Sequence, residues 1–223
     1  MTIFVCSCDK NEDLWQPFHI LLEKYYPNHP SVVYACETKK NPYYDTICIN
    51  YPLDNWTKRI RESLMQIDDN EILLLIDDLF IRQRVDTKRL DYARKILNEE
   101  ENYNVAYINL ELSFDSNDIP LKYNGFKKRQ DKSPYKISLM CGLWKKDALI
   151  RILSKNSNPW EVEYAQNDYG YDVFINSGDF IIDFGYKAFT PTNVFKGKWC
   201  KNVVPFFESE NIEIDYSIRG WSD

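Results

Sequence analysis

Short apolar runs alternate with longer amphipathic stretches through the first half of the chain. Residues 2–8 form an apolar run that ends in Ser7-Cys8-Asp9 and reads as a strand. Leu14, Phe18, Leu21, Leu22 and Tyr25 recur at helical spacing, which predicts an amphipathic helix over 13–26. Residues 31–37 and 46–50 read as two further strands. Asp54 is placed to cap a helix whose apolar stripe is Trp56, Ile60, Leu64 and Ile67. The run Ile72-Leu73-Leu74-Leu75-Ile76 fits a strand buried on both faces, and it stops at two adjacent carboxylates, Asp77 and Asp78. Asp86 caps a helix that turns Leu90, Ala93, Ile96 and Leu97 inward, and 105–110 is another strand.

This alternation implies an α/β fold: an open, mostly parallel sheet with helices on both faces. It breaks at 111–132, a polar stretch that carries Pro120 and Gly125 and reads as a functional or mobile loop. Residues 135–143 resume as a strand and 146–153 as a helix. A second helix starts near Asn158. Two short strands are expected across 172–190, around a turn at Asn176-Ser177-Gly178-Asp179. No repeat or linker interrupts the chain, so a single domain is expected over all 223 residues.

Composition narrows the class. Hydrophobic residues make up 44%, enough for a packed core, and the net charge of −6 weighs against a nucleic-acid partner. The compact basic run Lys127-Lys128-Arg129 reads as a solvated loop. No window approaches the apolar length of a membrane span, and the N-terminus lacks the pattern of a leader, so a cytoplasmic protein is expected. The six cysteines show no zinc spacing. Cys36, Cys48 and Cys141 lie in apolar, strand-like sequence and read as buried free thiols. The two histidines, His19 and His29, read as structural, which makes a Ser-His-Asp or Cys-His site improbable. The 16 Tyr, 12 Phe and 6 Trp suit stacking on sugars or bases, though packing is their commoner use.

Candidate chemistry gathers at a few places. In an open α/β sheet, ligands bind beyond the carboxyl ends of the strands, where Asp77 and Asp78 fall. Acids there are costly unless they hold a metal, a cation or a hydroxyl, although a water-facing strand end is an equally good reading. Two such ligands hold Mg²⁺ or Mn²⁺ when substrate phosphates complete the shell. Ser7, Cys8 and Asp9 follow the first strand, where a nucleotide is expected. Arg59 reaches a phosphate or forms a surface ion pair, and Arg219 folds over a diphosphate or stays idle. In Asn158-Pro159-Trp160-Glu161-Val162-Glu163, Asn158 is an N-cap, Pro159 suits the first helical position, and Glu161 falls at capping-box spacing. Glu163 lacks that explanation and is the candidate general base, with an ordinary exposed first-turn acid as the alternative. As a first-turn acid it is expected to stay ionised. Trp160 is a sugar-stacking platform or a core residue. Asp179 and Asp183 are reserve bases.

These residues together resemble the GT-A-type glycosyltransferases, which use nucleotide sugars. The small bacterial and phage-encoded members linked to surface polysaccharide synthesis are the most similar. The resemblance is carried by 5–10 with 13–18, by 56–64 leading into 73–80, by 137–153, and by Asn158 to Glu163. It implies a Rossmann-like GT-A fold, with 1–110 as the nucleotide-binding half, 111–133 as a flexible loop, and 134–223 as the acceptor half and tail. It implies a nucleotide-sugar donor and a carbohydrate or lipid-linked acceptor. The DxD-type role of holding the diphosphate and a Mn²⁺ or Mg²⁺ ion falls on Asp77 and Asp78, and the base of an inverting reaction on Glu163. The sequence departs from the pattern in having Asp-Asp rather than Asp-x-Asp, and no late metal-binding His, so metal dependence is open. The rival readings are a non-catalytic carbohydrate- or protein-binding domain, a phage enzyme that glycosylates a modified nucleobase, a glycosidase, and a sugar nucleotidyltransferase. The last is disfavoured because 6–13 holds no Gly and one Lys.

Overall fold

The computed structural model describes residues 1–51, 55–99, 103–112, 117–131, 133, 135–154, 158–164, 169–185 and 193–222. Asp54 and residues 186–190 of the second expected strand lie outside these, and its described part, 180–185, forms no strand. In chain order the main strands are β1 (Thr2–Cys6), β2 (Val32–Cys36), β3 (Asp45–Cys48), β4 (Glu71–Ile76), β5 (Val105–Leu112), β6 (Ile119–Pro120), β7 (Phe126–Lys128), β8 (Gly142–Lys145) and β9 (Asp172–Asn176). They form one nine-stranded sheet in the order β3-β2-β1-β4-β8-β5-β9-β7-β6. The pairs β1–β2, β2–β3, β1–β4 and β5–β9 are parallel. β8 runs antiparallel to both β4 and β5, and β7 antiparallel to β9 and β6. Only β8 and β7 therefore run against the others, and the sheet is mostly parallel in direction. The fold is the expected α/β class.

The period-2 alternation of the strands separates two cores. Ile3, Val5, Leu73 and Leu75 face one side, where α1 (Glu12–Tyr25) and α3 (Thr87–Glu99) pack with Leu14, Phe18, Leu90 and Leu97. Phe4, Cys6, Ile72 and Leu74 face the other, against α2 (Trp56–Leu64), α4 (Lys146–Leu153) and Val162 of α5 (Pro159–Tyr164). A short ribbon of β10 (Val194–Phe195) and β11 (Lys198–Trp199) leads to α6 (Val204–Glu210), whose Phe207 joins the first core. Asp86 caps α3 as expected, its Oδ1 accepting the Arg89 N–H at 3.0 Å. No helix of the described residues is long and apolar enough to cross a membrane.

Four further expectations need correction. The strand expected over 135–143 begins only at Gly142. Just upstream, Cys141 O still accepts from Leu110 N–H of β5 at 3.2 Å, but from Lys136 to Leu139 the backbone bonds to side chains instead. The Tyr107 hydroxyl donates to Lys136 O at 2.9 Å and accepts from Ser138 N–H at 2.8 Å, and Glu163 accepts from Leu139 N–H at 2.7 Å. Ile137 and Leu139 are buried, so the apolar alternation was real while the ladder was not. Within the expected loop 111–132, β5 continues to Leu112, and β6 and β7 extend the sheet beyond β9. Buried Phe126 anchors this addition, and Gly125 turns the chain with φ of +77°. The basic run is not a solvated loop either: Lys127 and Lys128 lie in β7 and Arg129 follows it, with Lys128 paired to Asp172 and Arg129 to Asp118 at 3.6 Å. Cys48 is exposed, because β3 is the sheet edge. The turn at Asn176 forms as expected: its side chain accepts from Gly178 N–H at 3.2 Å and donates to Asp179 O at 2.9 Å.

Gly142, where β8 starts, is forced by the second core. Tyr107 and Trp144 are fully buried and stack with ring centroids 3.8 Å apart and planes 5° from parallel. A Cβ at Gly142 would sit 2.9 Å from the Trp144 indole nitrogen and 3.1 Å from the Tyr107 ring. Gly142→Ala should therefore cost about 1–3 kcal/mol by overpacking. A lowered urea midpoint at unchanged m-value would show it, and an unmoved midpoint would mean that the ring pair yields freely.

Candidate active site

The carboxyl edge of the sheet collects two groups of acids. The first follows β4. Asp77 is 2% exposed, and both of its oxygens are held. Oδ2 accepts from the Ser7 hydroxyl, and Oδ1 accepts from Asn11 Nδ2 at 2.8 Å. Ser7 is itself fixed by the Trp15 indole N–H, which donates to its Oγ at 2.9 Å. Burial, then the charge of Asp78, pushes the Asp77 carboxyl up to about 7, while the Ser7 and Asn11 hydrogen bonds pull the other way. Burial raises Asp78 to about 6 against a bond from its own backbone and the pull of Arg219. Both carboxyls therefore hold a proton more tightly than an exposed Asp.

The chain after β1 supplies the surrounding frame. Arg59 is 2% exposed, not the surface residue that one reading expected. It forms an ion pair with Glu37 and donates to Ser7 O at 2.9 Å, which pins the end of β1 from behind. Asp9 is held low, near 2, by hydrogen bonds from the Thr38 hydroxyl and the Thr38 and Lys39 amides that outweigh its partial burial. It ties the loop after β1 to the end of β2. Burial pushes the Cys8 thiol up to about 11, which keeps it neutral. Arg219 reaches back across the fold. Its guanidinium pairs with Asp13 at 2.6 Å and donates to Asn11 Oδ1 at 3.0 Å, so a single side chain separates it from Asp77.

The second group lies across β8. Leu74 and Asn109 both pair with Gly142, so the ends of β4 and β5 are one strand apart, about 10 Å on the usual interstrand spacing. Glu111, two residues past Asn109, sits at that end. Its carboxylate accepts from the Ser138 hydroxyl at 3.3 Å. Glu163 comes to the same segment from α5, where its Oε1 accepts from Leu139 N–H at 2.7 Å. Both carboxyls are raised above the usual Glu range, mainly by burial, and for Glu111 the charge of Glu163 adds to the shift. Glu163 is thus neither an exposed acid nor one held low by the helix end, because burial outweighs the dipole. Asn158 does cap α5, its Oδ1 accepting from Glu161 N–H at 2.9 Å. Trp160 is exposed, which removes its core reading.

Comparison with solved structures places this architecture. A fragment of Staphylococcus aureus TarS is similar, with a TM-score of 0.50 at 12% identity, over 81% of this chain and 59% of that one. A bifunctional IspDF from Campylobacter jejuni matches with a TM-score of 0.47 at 15% identity, over 80% and 50%. The galactosyltransferase LgtC, in complex with donor and acceptor sugar analogs, matches with 0.44 at 13% identity, over 74% and 65%. The chain thus spans between half and two thirds of the length of these three. At such identities the TarS likeness shows the fold and nothing finer. No family model and no curated protein matches the sequence.

Of the candidates taken from sequence, Ser7, Asp77, Asp78 and Arg219 come together, with Arg59 directly behind Ser7. Glu163 stands on the other side of β8. Asp183 lies beside the loop after the acid pair, its backbone oxygen accepting from Arg82 N–H at 2.8 Å. Among the described residues, no group of three or more His, Cys, Asp or Glu is arranged to hold a metal ion, so any ion at Asp77 and Asp78 would need oxygens from its substrate. Sequence reasoning missed Glu111, Asn11 and Glu37. Glu111 ends an apolar strand just as Asp77 does, a signal that was available. Asn11 and Glu37 act only through tertiary contacts.

The Glu111 shift has a testable sign. A carboxyl raised on folding binds its proton more tightly in the folded state, so its contribution favours the fold below the ordinary Glu range and is lost as pH rises through the folded pKa. Glu111→Gln should melt roughly 2–4 °C above the parent chain near pH 8, with the gap closing towards about pH 5. A gap independent of pH would show that Glu111 is not strained by ionisation.

Proposed function

We propose that this chain is a glycosyltransferase that moves a sugar from a nucleotide-sugar donor to a hydroxyl acceptor with inversion, in the synthesis of a glycan or surface polysaccharide. The observation that carries this reading is the pairing of two acid groups on one sheet edge, separated by a single strand. In this reading the roughly 10 Å between the ends of β4 and β5 holds one sugar ring, with the leaving diphosphate on the β4 side and the acceptor on the Glu163 side. In this reading Ser7, Cys8 and Asp9 face the nucleotide, behind which Arg59 fixes the end of β1. Arg219 brings positive charge towards the diphosphate through its contact with Asn11. Asp77 and Asp78, an all-oxygen set, would hold Mg²⁺ or Mn²⁺. Such an ion, when bound, supplies charge neutralisation for the leaving diphosphate.

Glu163 takes the proton of the acceptor hydroxyl. Leu139 N–H holds one of its oxygens, which orients the carboxylate. Burial raises its carboxyl above the usual Glu range, which makes it a stronger base than an exposed Glu. Glu111 shares the Ser138 region with it, and the charge of Glu163 adds to the rise that burial gives Glu111.

A thermal-shift panel of nucleoside diphosphates, with and without Mn²⁺, tests the donor half. At least one nucleotide should raise the melting temperature, and silence across the whole panel would favour a non-catalytic binding domain. Glu163→Gln should lower transfer by about 10²- to 10⁴-fold and leave the nucleotide shift in place. Full transfer in that variant removes Glu163 from the mechanism.

A further inference from the structure

Three exposed aromatic side chains lie around Glu163 and take little part in packing. Trp160 is 55% exposed, Tyr164 61% and Tyr135 46%. Trp160 and Tyr164 are four residues apart in α5 and share a face that Glu163 flanks, with Val162 turned to the core. Tyr135 reaches the same face from the irregular segment before β8, its ring centroid 5.1 Å from that of Tyr164. The Tyr135 backbone has φ of +53°, a left-handed conformation that a bulky side chain rarely adopts. Single exposed aromatics need no explanation, but a contiguous group beside a half-buried carboxylate marks a binding surface.

We propose that Trp160, Tyr164 and Tyr135 form the acceptor subsite, and that the acceptor is a neutral glycan whose pyranose ring stacks on Trp160 and turns a hydroxyl towards Glu163. The proposal rests on the glycosyl-transfer reading above and adds the class of acceptor to it. A pyranose ring has a C–H face and a hydroxyl edge. The surface offers the complement: indole and phenol rings for the face, and the second oxygen of Glu163 and the tyrosine hydroxyls for the edge. Charge narrows the choice. The acids on α5 itself, Glu161 and Glu163, repel a phosphate backbone, so a nucleobase in DNA or RNA fits poorly although it too would stack. A lipid chain would need a continuous apolar groove, and here carboxylates and hydroxyls interrupt the rings.

Saturation-transfer NMR on the full chain, with the methyl glycosides of glucose, galactose, mannose and N-acetylglucosamine as probes, tests the subsite. At least one glycoside should receive saturation at its ring C–H protons, and Trp160→Ala should cut that signal by about tenfold. The nucleoside diphosphate thermal shift should be the same in both proteins, which also shows that the variant is folded. Tyr164→Ala is the second variant and should weaken the signal as well. The proposal is overturned if no glycoside is saturated by the parent chain, or if the signal survives both substitutions. Saturation that depends on Trp160 in a protein that no nucleotide stabilises would keep the sugar subsite and sink the transferase reading. A nucleotide shift without any glycoside signal would do the reverse.

Discussion

Strand β8 runs against both of its neighbours, and this reversal decides where the polar residues of the second half end up. Had it run parallel, residues 138–141 would lead in from the amino edge of the sheet, far from Asp77. Because it is reversed, the chain approaches β8 across the carboxyl edge, and the Ser138 hydroxyl and Leu139 N–H arrive beside the ends of β4 and β5. These two groups receive Glu111 and Glu163. The ends of β4 and β5 are then two interstrand spacings apart, about 10 Å, a distance fixed by backbone geometry.

The two groups are held in different ways. Asp77 is enclosed by donors from the first loop, and its frame runs outward through Ser7 to Trp15 and Arg59, and through Asn11 to Arg219. Apart from the Trp15–Ser7 bond, every contact in that frame joins distant parts of the chain. Glu163 instead sits on a helix of six residues, capped by Asn158 and anchored by Val162, and its carboxylate is held by Leu139 N–H and Ser138. The β4 side is thus tied across the chain and its ionisation is suppressed by burial, whereas the Glu163 side hangs on one short helix and one irregular segment.

The sequence was most readable where local pattern and tertiary role coincide. The apolar run 72–76 had to be an interior strand, and the acids that end it had to meet a ligand or a hydrogen-bonding frame. Simple counting from the cap Asn158 set Glu163 apart from Glu161, and the structure gives the two different partners. Reading failed where side chains take over the work of the backbone. Residues 135–141 carry the alternation of a strand, but Lys136 O and the N–H groups of Ser138 and Leu139 bond to Tyr107 and Glu163, and no local pattern encodes that exchange. The sheet extension at 119–128 was hidden because its strands are very short and depend on one buried ring, Phe126. The burial of Arg59 was hidden for a related reason: its partner Glu37 is remote in sequence.

Tyr107 joins two functions that most folds keep apart. Its ring is half of the innermost aromatic stack, and its hydroxyl bridges Lys136 O and Ser138 N–H, one residue from the amide that holds Glu163. A lineage of this chain could not repack that stack without also moving Glu163. Drift in the core would be felt at the sheet edge, so any selection on Glu163 would also guard two rings that lie wholly inside the protein.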